Sequence, residues 1–281
     1  MSLKAMLAQK IAEGLKRKAV KTCSQWAEAY RMMGQPFPGK WNWDHHPWLY
    51  EMHNADAPKL VGQKAAQMGF TEWALNKTFY SMDILGVSAL YILPSDDDAS
   101  DFSAARFDKA LDLSPYLSNF FSEVKNVGHK RAATSSLYVR GSRSRSKLKS
   151  IDTALIVFDE MDEMHQANIS LAEERQSGQR AETQQILEIS TPTIEGFGIN
   201  RDFSLSTQEH FMFKCPSCKR HIELTFPDSI VITAESELDP RLKDTHYICT
   251  LCKVKLEQAD KVNFLKCKHL GGIAHIVPLY R

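Results

Sequence analysis

The sequence has no surplus of charge of either sign. Its 35 lysines and arginines face 34 aspartates and glutamates, for a net charge of +1. Bulk electrostatics therefore give no nucleic-acid signal, and any such contact must come from local patches such as residues 125 to 149. Long hydrophobic runs are also missing. No stretch approaches a membrane span, and the first residues lack the apolar core of a signal peptide, so no membrane role is expected. Cysteine is scarce, with 6 among 281 residues. Nothing marks the chain as secreted, which disfavours a disulfide framework. With 43% hydrophobic and 10% aromatic residues, the chain can bury one large core or two modest ones.

The most informative apolar run is Ala154-Leu-Ile-Val-Phe-Asp159-Glu160. It reads as a strand buried on both faces, with two carboxylates emerging at its C-terminal edge, where open α/β sheets bind ligands. Asp159 in that place would hold Mg²⁺, and Glu160 would deprotonate the water that attacks a γ-phosphate. The plainer alternative is a strand followed by an acidic helix start, Asp159, Glu160, Asp162 and Glu163, favoured by the helix dipole alone.

A phosphate loop should precede such a strand, and Lys64-Ala65-Ala66-Gln67-Met68-Gly69-Phe70-Thr71-Glu72 offers one in altered form. Phe70 stands where the usual lysine is expected. The nearest cation is Lys64, six residues earlier, whose flexible stem can reach phosphates from the other side of the loop. Without further support the segment is a strand-turn-helix joint.

Cys215-Pro-Ser-Cys218 and Cys249-Thr-Leu-Cys252 are separated by 30 residues. Two such knuckles can place four thiolates around one tetrahedral Zn²⁺, with no position left open for catalysis, so the site is structural. An inserted loop, residues 228 to 243, absorbs the long separation. Cys23 and Cys267 are left over as ordinary thiols.

From Pro58 onward strands alternate with helices: strands over 60–64, 87–93, 137–140, 154–158 and 185–190, and helices over 71–84, 99–111 and 169–178. This pattern implies an α/β fold with a mostly parallel sheet flanked by helices. Residues 1–33 read as helical, with an amphipathic stretch over 2–21, and residues 272–280 as a returning strand. Trp41, Trp43 and Trp48 suit packing better than base stacking. Asp96, Asp97 and Asp98 read as a polar helix start after Ser95 rather than as a nuclease cluster.

The order of several short blocks resembles the lambda-like branch of tailed-bacteriophage terminase large subunits. These are Pro47 to Met52, Lys64 to Thr71, Leu93-Pro-Ser95 with Phe102 to Arg106, Gly141 to Ser144, Leu148 to Ser150, Phe158 to Asp162 and Ser190-Thr191-Pro192-Thr193. The resemblance implies a P-loop NTPase of the ASCE type with a small zinc-ribbon-like insert near the C-terminus. It implies domains over 1–55 (helical lead and adenine side), 56–210 (ATPase core), 211–260 (zinc module) and 261–281 (strand or linker). Carried over by residue, Lys64 contacts phosphate, Gly69 lets backbone approach it, Thr71 and Asp159 hold Mg²⁺, Glu160 is the base, and Ser190 with Thr191 senses the γ-phosphate. The nucleotide cradle comprises Lys64 to Glu72. Related chains carry a trans-acting arginine where this one has Lys149; Lys149, Arg143 or Arg145 supplies that cation here, unless the loop from Arg140 to Lys149 is simply a solvated basic loop or contacts a DNA backbone.

The implied activity is ATP hydrolysis that packages double-stranded DNA in the bacterial host's cytoplasm. The implied partners are the portal protein, the terminase small subunit and further copies of the chain in a ring. The nuclease domain of full-length relatives would begin beyond this chain, so DNA cleavage is not expected. The alternatives are a helicase-like translocase and a non-hydrolysing zinc-containing adaptor, for which Phe70 is the best argument.

Overall fold

Leu155–Asp159 is buried at every position, and so is Ala89–Leu93. Strands without a solvent face belong at the centre of a sheet covered on both sides, and that is where the computed structural model places them. It describes residues 20–257 except 123, 133 and 150, together with residues 4, 5, 7 and 8. The amphipathic stretch expected over 2–21 lies mostly outside the described residues, and Cys267 and the strand expected over 272–280 lie wholly outside them.

The first unit is built from Leu49–Ser204 with the described residues before position 43. Its elements run α1 (Cys23–Tyr30), β1 (Met32–Met33), β2 (Gly39–Lys40), α2 (Leu49–Asn54), β3 (Lys59–Gln63), α3 (Phe70–Asp83), β4 (Ala89–Leu93) and α4 (Asp96–Phe102). There follow α5 (Lys109–Leu113), α6 (Pro115–Phe120), β5 (Val124–Asn126), β6 (His129–Ala132), β7 (Ser135–Gly141), α7 (Arg145–Leu148), β8 (Leu155–Asp159), α8 (Ile169–Glu173), β9 (Gln185–Ser190) and α9 (Gly198–Ser204). The seven-stranded sheet has the order β3-β9-β8-β4-β7-β6-β5. The pairings from β3 to β7 are parallel and the last two are antiparallel.

This is a mostly parallel α/β sheet, with one addition. The β5–β6 hairpin at the sheet margin has no counterpart in the sequence reading, because its short strands are mixed rather than apolar in sequence: the edge strand Val124–Asn126 reads Val-Lys-Asn and its neighbour His129–Ala132 reads His-Lys-Arg-Ala. Two helices also differ in extent. α4 starts at Asp96 because Ser95 and Asp98 form a reciprocal capping box that fixes the first turn, and a π-helical turn over Ser103–Asp108 joins it to α5. The helix expected over 169–178 ends at Glu173, giving way to a tight turn over Glu174–Gln176.

Both sheet faces are sealed. On one, Leu90, Ile92, Ile156, Phe158, Met161 and Ile199 form a continuous apolar cluster, each side chain worth about 1.5–3 kcal/mol on burial. Tyr91 on the other face stacks on Phe102 at 5.0 Å and meets Phe107 edge-on at 5.2 Å. The phosphate-loop helix α3 is tied to the chain before it by buried polar contacts. Trp73 Nε1 donates to the Met52 carbonyl at 2.8 Å, and the Lys77 ammonium donates to the Ala55 carbonyl. Arg31 Nε donates to Asn76 Oδ1 at 3.1 Å. Burial pushes His53 down to about 3. It is therefore neutral, donating from Nδ1 to the Leu49 carbonyl and accepting at Nε2 from Asn76.

The second unit comprises Trp43–Trp48 and the described residues from Leu205 onward. It contains a hairpin of β10 (Phe213–Lys214) and β11 (His221–Ile222), and a three-stranded sheet of β12 (Ile230–Val231), β13 (His246–Ile248) and β14 (Lys255–Leu256). Its small core gathers Cys215, Ile222, Cys249 and Leu256. The three tryptophans divide between the units: Trp41 packs on His53 in the first at 5.3 Å, and Trp48 on Phe211 in the second at 5.7 Å.

Candidate active site

The strand order decides what meets what. Because β9 lies between β3 and β8, the segment after β9 stands between the phosphate-loop residues that follow β3 and the acidic pair that ends β8. The Lys64 backbone N–H donates to the Ser190 carbonyl at 3.0 Å, extending the β3–β9 ladder by one step. Its side chain then crosses the sheet edge. Lys64 Nζ lies 2.8 Å from Glu160 Oε1 and 3.3 Å from Thr191 Oγ1. The lysine side chain is 8% exposed and the glutamate 41%, so the lysine is held while the carboxylate remains open to solvent.

Glu160 occupies the left-handed backbone region with φ 63°. That conformation costs a non-glycine residue of order 1–2 kcal/mol, and it turns the side chain out of the strand direction toward Lys64. Asp159 is buried, and its Oδ2 accepts from the Tyr91 hydroxyl at 2.6 Å. Its Oδ1 is buried without a hydrogen-bond partner. Burial pushes the carboxyl up to about 6, with the Glu160 charge adding to it, while Tyr91, Lys64 and the Thr71 hydroxyl pull it down. A buried carboxylate with one orphaned oxygen, beside a threonine hydroxyl, fits a divalent cation whose remaining ligands are water and phosphate.

Between Lys64 and α3 the loop is exposed at Ala65, Ala66 and Gln67, with positive φ at Gln67 (62°) and Gly69 (80°). Gly69 is the N-cap of α3 and has no side chain to cap it. The first N–H groups of that helix thus remain available, as an anion site requires. Phe70 points away from this opening. Its ring lies against the β3 backbone, where a Cβ built on Gly62 would come within 3.0 Å of it, and it meets Trp73 edge-on at 6.1 Å. The Glu72 side chain is likewise turned to a structural partner, Arg31, at 2.6 Å, which leaves only its backbone to face the loop. Lys149 is exposed and lies outside the Lys64–Asp159–Glu160 constellation, lining a separate cleft.

One residue of this neighbourhood had no role in the sequence reading. Asp162 Oδ2 accepts from the Thr193 N–H at 3.0 Å and the Thr193 hydroxyl at 2.9 Å, and Oδ1 accepts from the Ile199 N–H at 2.7 Å. Its own N–H donates to Ser190 Oγ at 3.2 Å. The loop after β8 is thus tied to the Ser190–Thr193 segment and to the start of α9. Among four nearby acids nothing in the local sequence singles out Asp162; only its bonds to distant residues do.

In the second unit the Sγ atoms of Cys215, Cys218, Cys249 and Cys252 all lie within 4.8 Å of one another. The Cys215–Cys252 and Cys218–Cys249 separations are 3.8 and 3.9 Å. A tetrahedron with Zn–S bonds of about 2.3 Å has edges of about 3.8 Å, so the donor set fits zinc. The two knuckles are built alike. Lys219 and Lys253 both adopt positive φ, and their backbone N–H groups donate back to the carbonyls of Cys215 and Cys249 at 3.0 and 2.9 Å.

A parallel sheet with an altered phosphate loop, an acidic pair on a central strand and a hydroxyl-rich strand end between them is the frame of a P-loop ATPase. The sequence model of the family described as "Phage terminase large subunit gpA, ATPase domain" matches residues 35–269, and the chain belongs to that family. The crystal structure of the HK97 bacteriophage large terminase superposes with a TM-score of 0.55 at 10% identity, covering 66% of this chain. This chain spans 40% of that protein's length. The Thermus phage P74-26 large terminase ATPase domain is 18% identical over 56% of this chain and 68% of that one, with a TM-score of 0.45. No curated protein matches.

Proposed function

We propose that the chain is the ATP-hydrolysing motor domain of a terminase large subunit, driving double-stranded DNA into a phage capsid in the host cytoplasm. The observation that carries this reading is the bridge from Lys64 Nζ to Glu160 and Thr191, beside a buried Asp159 with an unsatisfied oxygen. Lys64 serves as the phosphate-loop lysine from the first position of the loop. Residues Ala65 to Glu72 present backbone to the phosphates, and Thr71 with Asp159 holds Mg²⁺. When bound, Mg²⁺ supplies the charge neutralisation that the β- and γ-phosphate oxygens need.

Lys64 and Glu160 neutralise each other across 2.8 Å. Nucleotide phosphates draw the ammonium onto themselves, which releases Glu160 to orient the attacking water and accept its proton. Ser190 and Thr191 report the γ-phosphate to Asp162 and α9. One cation among Lys149, Arg143 and Arg145 serves the site of an adjacent copy in a ring. The zinc module is structural, and the portal protein and small subunit are the partners.

Titration with Mg²⁺·ATP tests the binding half of this reading. Wild type binds, and Lys64→Ala weakens binding at least tenfold while the fold persists. Equal affinity in the two proteins would overturn the assignment of Lys64.

A further inference from the structure

A cleft of about 410 Å³ opens between the start of α4, the β5–β6 turn and β7. None of Lys64, Thr71, Asp159 and Glu160 lines it. Three cations do, Arg140, Lys147 and Lys149, against one carboxylate, Asp96. That carboxylate is already engaged, by Lys147 at 2.9 Å and by the Gly141 N–H at 3.2 Å. The cleft therefore keeps a surplus of positive charge.

Its floor is constructed around Arg140. The guanidinium donates to the carbonyls of Gly128 and Val139 and lies 5.6 Å above the Tyr138 ring, which is itself stacked on His129 at 4.8 Å. A Cβ on Gly128 would lie 2.6 Å from Arg140 Nη1 and push the guanidinium out of this seat. Gly141 is held more strictly, since a Cβ there would meet fixed backbone, Asp96 N at 2.3 Å and Ser95 C at 2.4 Å. The cationic run continues beyond the cleft. Residues 140–149 contain Arg140, Arg143, Arg145, Lys147 and Lys149 with no acid among them, and the side chains of Arg143, Arg145 and Lys149 are exposed, with no ion pair among the described residues.

We infer that this cleft and the run beside it bind the phosphodiester backbone of duplex DNA. Several cations spaced by glycine and serine match a ligand whose charges repeat along its length, and an arginine fixed in plane presents its remaining N–H donors to phosphate oxygens. The inference deepens the motor reading and rests on it for its purpose, because the run is braced to the loop that follows Glu160. Ser142 Oγ donates to the Pro94 carbonyl at 2.8 Å and accepts from the His165 N–H at 3.1 Å, and Asn168 donates to the Ser142 carbonyl at 2.8 Å. A shift in the loop after the acidic pair is thereby delivered to the backbone-gripping side chains.

The test is fluorescence anisotropy of a short blunt DNA duplex between about 50 and 200 mM salt, on the full chain, its Lys147→Ala/Lys149→Ala form and Val127→Glu. Val127→Glu adds a carboxylate at an exposed rim position while every cation stays in place. Removing one cation that neutralises a phosphate lowers the slope of log K against log salt by about 0.9. The double variant is expected to show between one and two such steps, and Val127→Glu to bind at least fivefold more weakly at the lowest salt. Unchanged affinity and slope in both would overturn the inference, as would variants that alter only self-association in sedimentation. ATP binding measured on the same samples separates the two readings. A wild type that binds DNA through the cleft but not ATP contradicts the motor assignment alone, whereas one that binds ATP with DNA affinity indifferent to the variants contradicts the cleft alone.

Discussion

Replacing Asp162 should damage both stability and turnover, to a degree the geometry allows to be worked out. Its carboxylate accepts three hydrogen bonds, from the Thr193 N–H and hydroxyl and from the Ile199 N–H. Thr193 is exposed, so water replaces the missing acceptor there at small cost. Ile199 is fully buried, and its N–H would be left without a partner, which costs about 1–3 kcal/mol on its own. With a smaller contribution from the threonine, Asp162→Ala should destabilise by about 3 kcal/mol, or roughly 6–12 °C in Tm for a unit of this size.

Gly198 supplies an internal control. It has φ +51°, and a Cβ there would lie 2.2 Å from Asp162 Oδ1. Gly198→Ala should therefore be more damaging when Asp162 is present than when it has been removed, and the two substitutions should be non-additive by about 1 kcal/mol or more. In ATP assays Asp162→Ala should retain nucleotide affinity while turnover falls roughly ten- to hundredfold, because the Ser190–Thr193 segment is misplaced but still present. Denaturation midpoints of the four proteins, with turnover measured alongside, check this. Strict additivity, or an Asp162→Ala protein with wild-type midpoint and turnover, would refute the reasoning.

Three further outcomes rest on individual side chains. Phe70→Lys should not restore ATP binding to Lys64→Ala, because residue 70 packs on Gly62 and Trp73; recovery in a titration would show that the side chain can swing to the phosphates. Glu188 is wholly buried and burial pushes it up to about 7, with the Lys59 ammonium 2.6 Å away only partly opposing this. The native state therefore holds a proton that the unfolded chain releases above its ordinary carboxylate range, so this group's contribution falls as pH rises from about 4.5 to 7. Lys59, 30% exposed, gains from the pair, but not enough to cancel the burial of its partner. Glu188→Gln should flatten the decline in Tm over that window, and an unchanged pH profile would contradict the assignment. Chelation should release an equimolar amount of zinc, expose four reactive thiols and unfold the hairpins around Cys215–Cys218 and Cys249–Cys252; a preparation without zinc that retains β-structure there would contradict a structural metal.

The parts of this molecule that could be read from the sequence are those in which one local pattern suffices. Leu155–Asp159 is apolar enough to demand a central strand, and the spacing of the four cysteines anticipates their convergence within 4.8 Å. Lys64 stands out in the sequence as the cation nearest the altered loop, although its 2.8 Å contact with Glu160 does not. The remainder depends on interactions across long separations. The hub at Asp162 joins positions 31 and 37 residues away, the left-handed backbone of Glu160 falls at a residue with no glycine to announce it, and the Phe70 ring lies where Gly62 has no side chain. The β5–β6 hairpin carries no apolar run, because strands at a sheet margin need not be apolar. A pattern search over short windows does not carry that information.

The most direct test of the whole account is Mg²⁺-dependent phosphate release from ATP by wild type and Glu160→Gln, across a range of protein concentrations and with duplex DNA present. The account predicts wild-type turnover that rises more steeply than protein concentration, as a cation supplied from an adjacent copy requires, and a Glu160→Gln protein that binds ATP but releases no phosphate. Turnover by Glu160→Gln at the wild-type rate would contradict it.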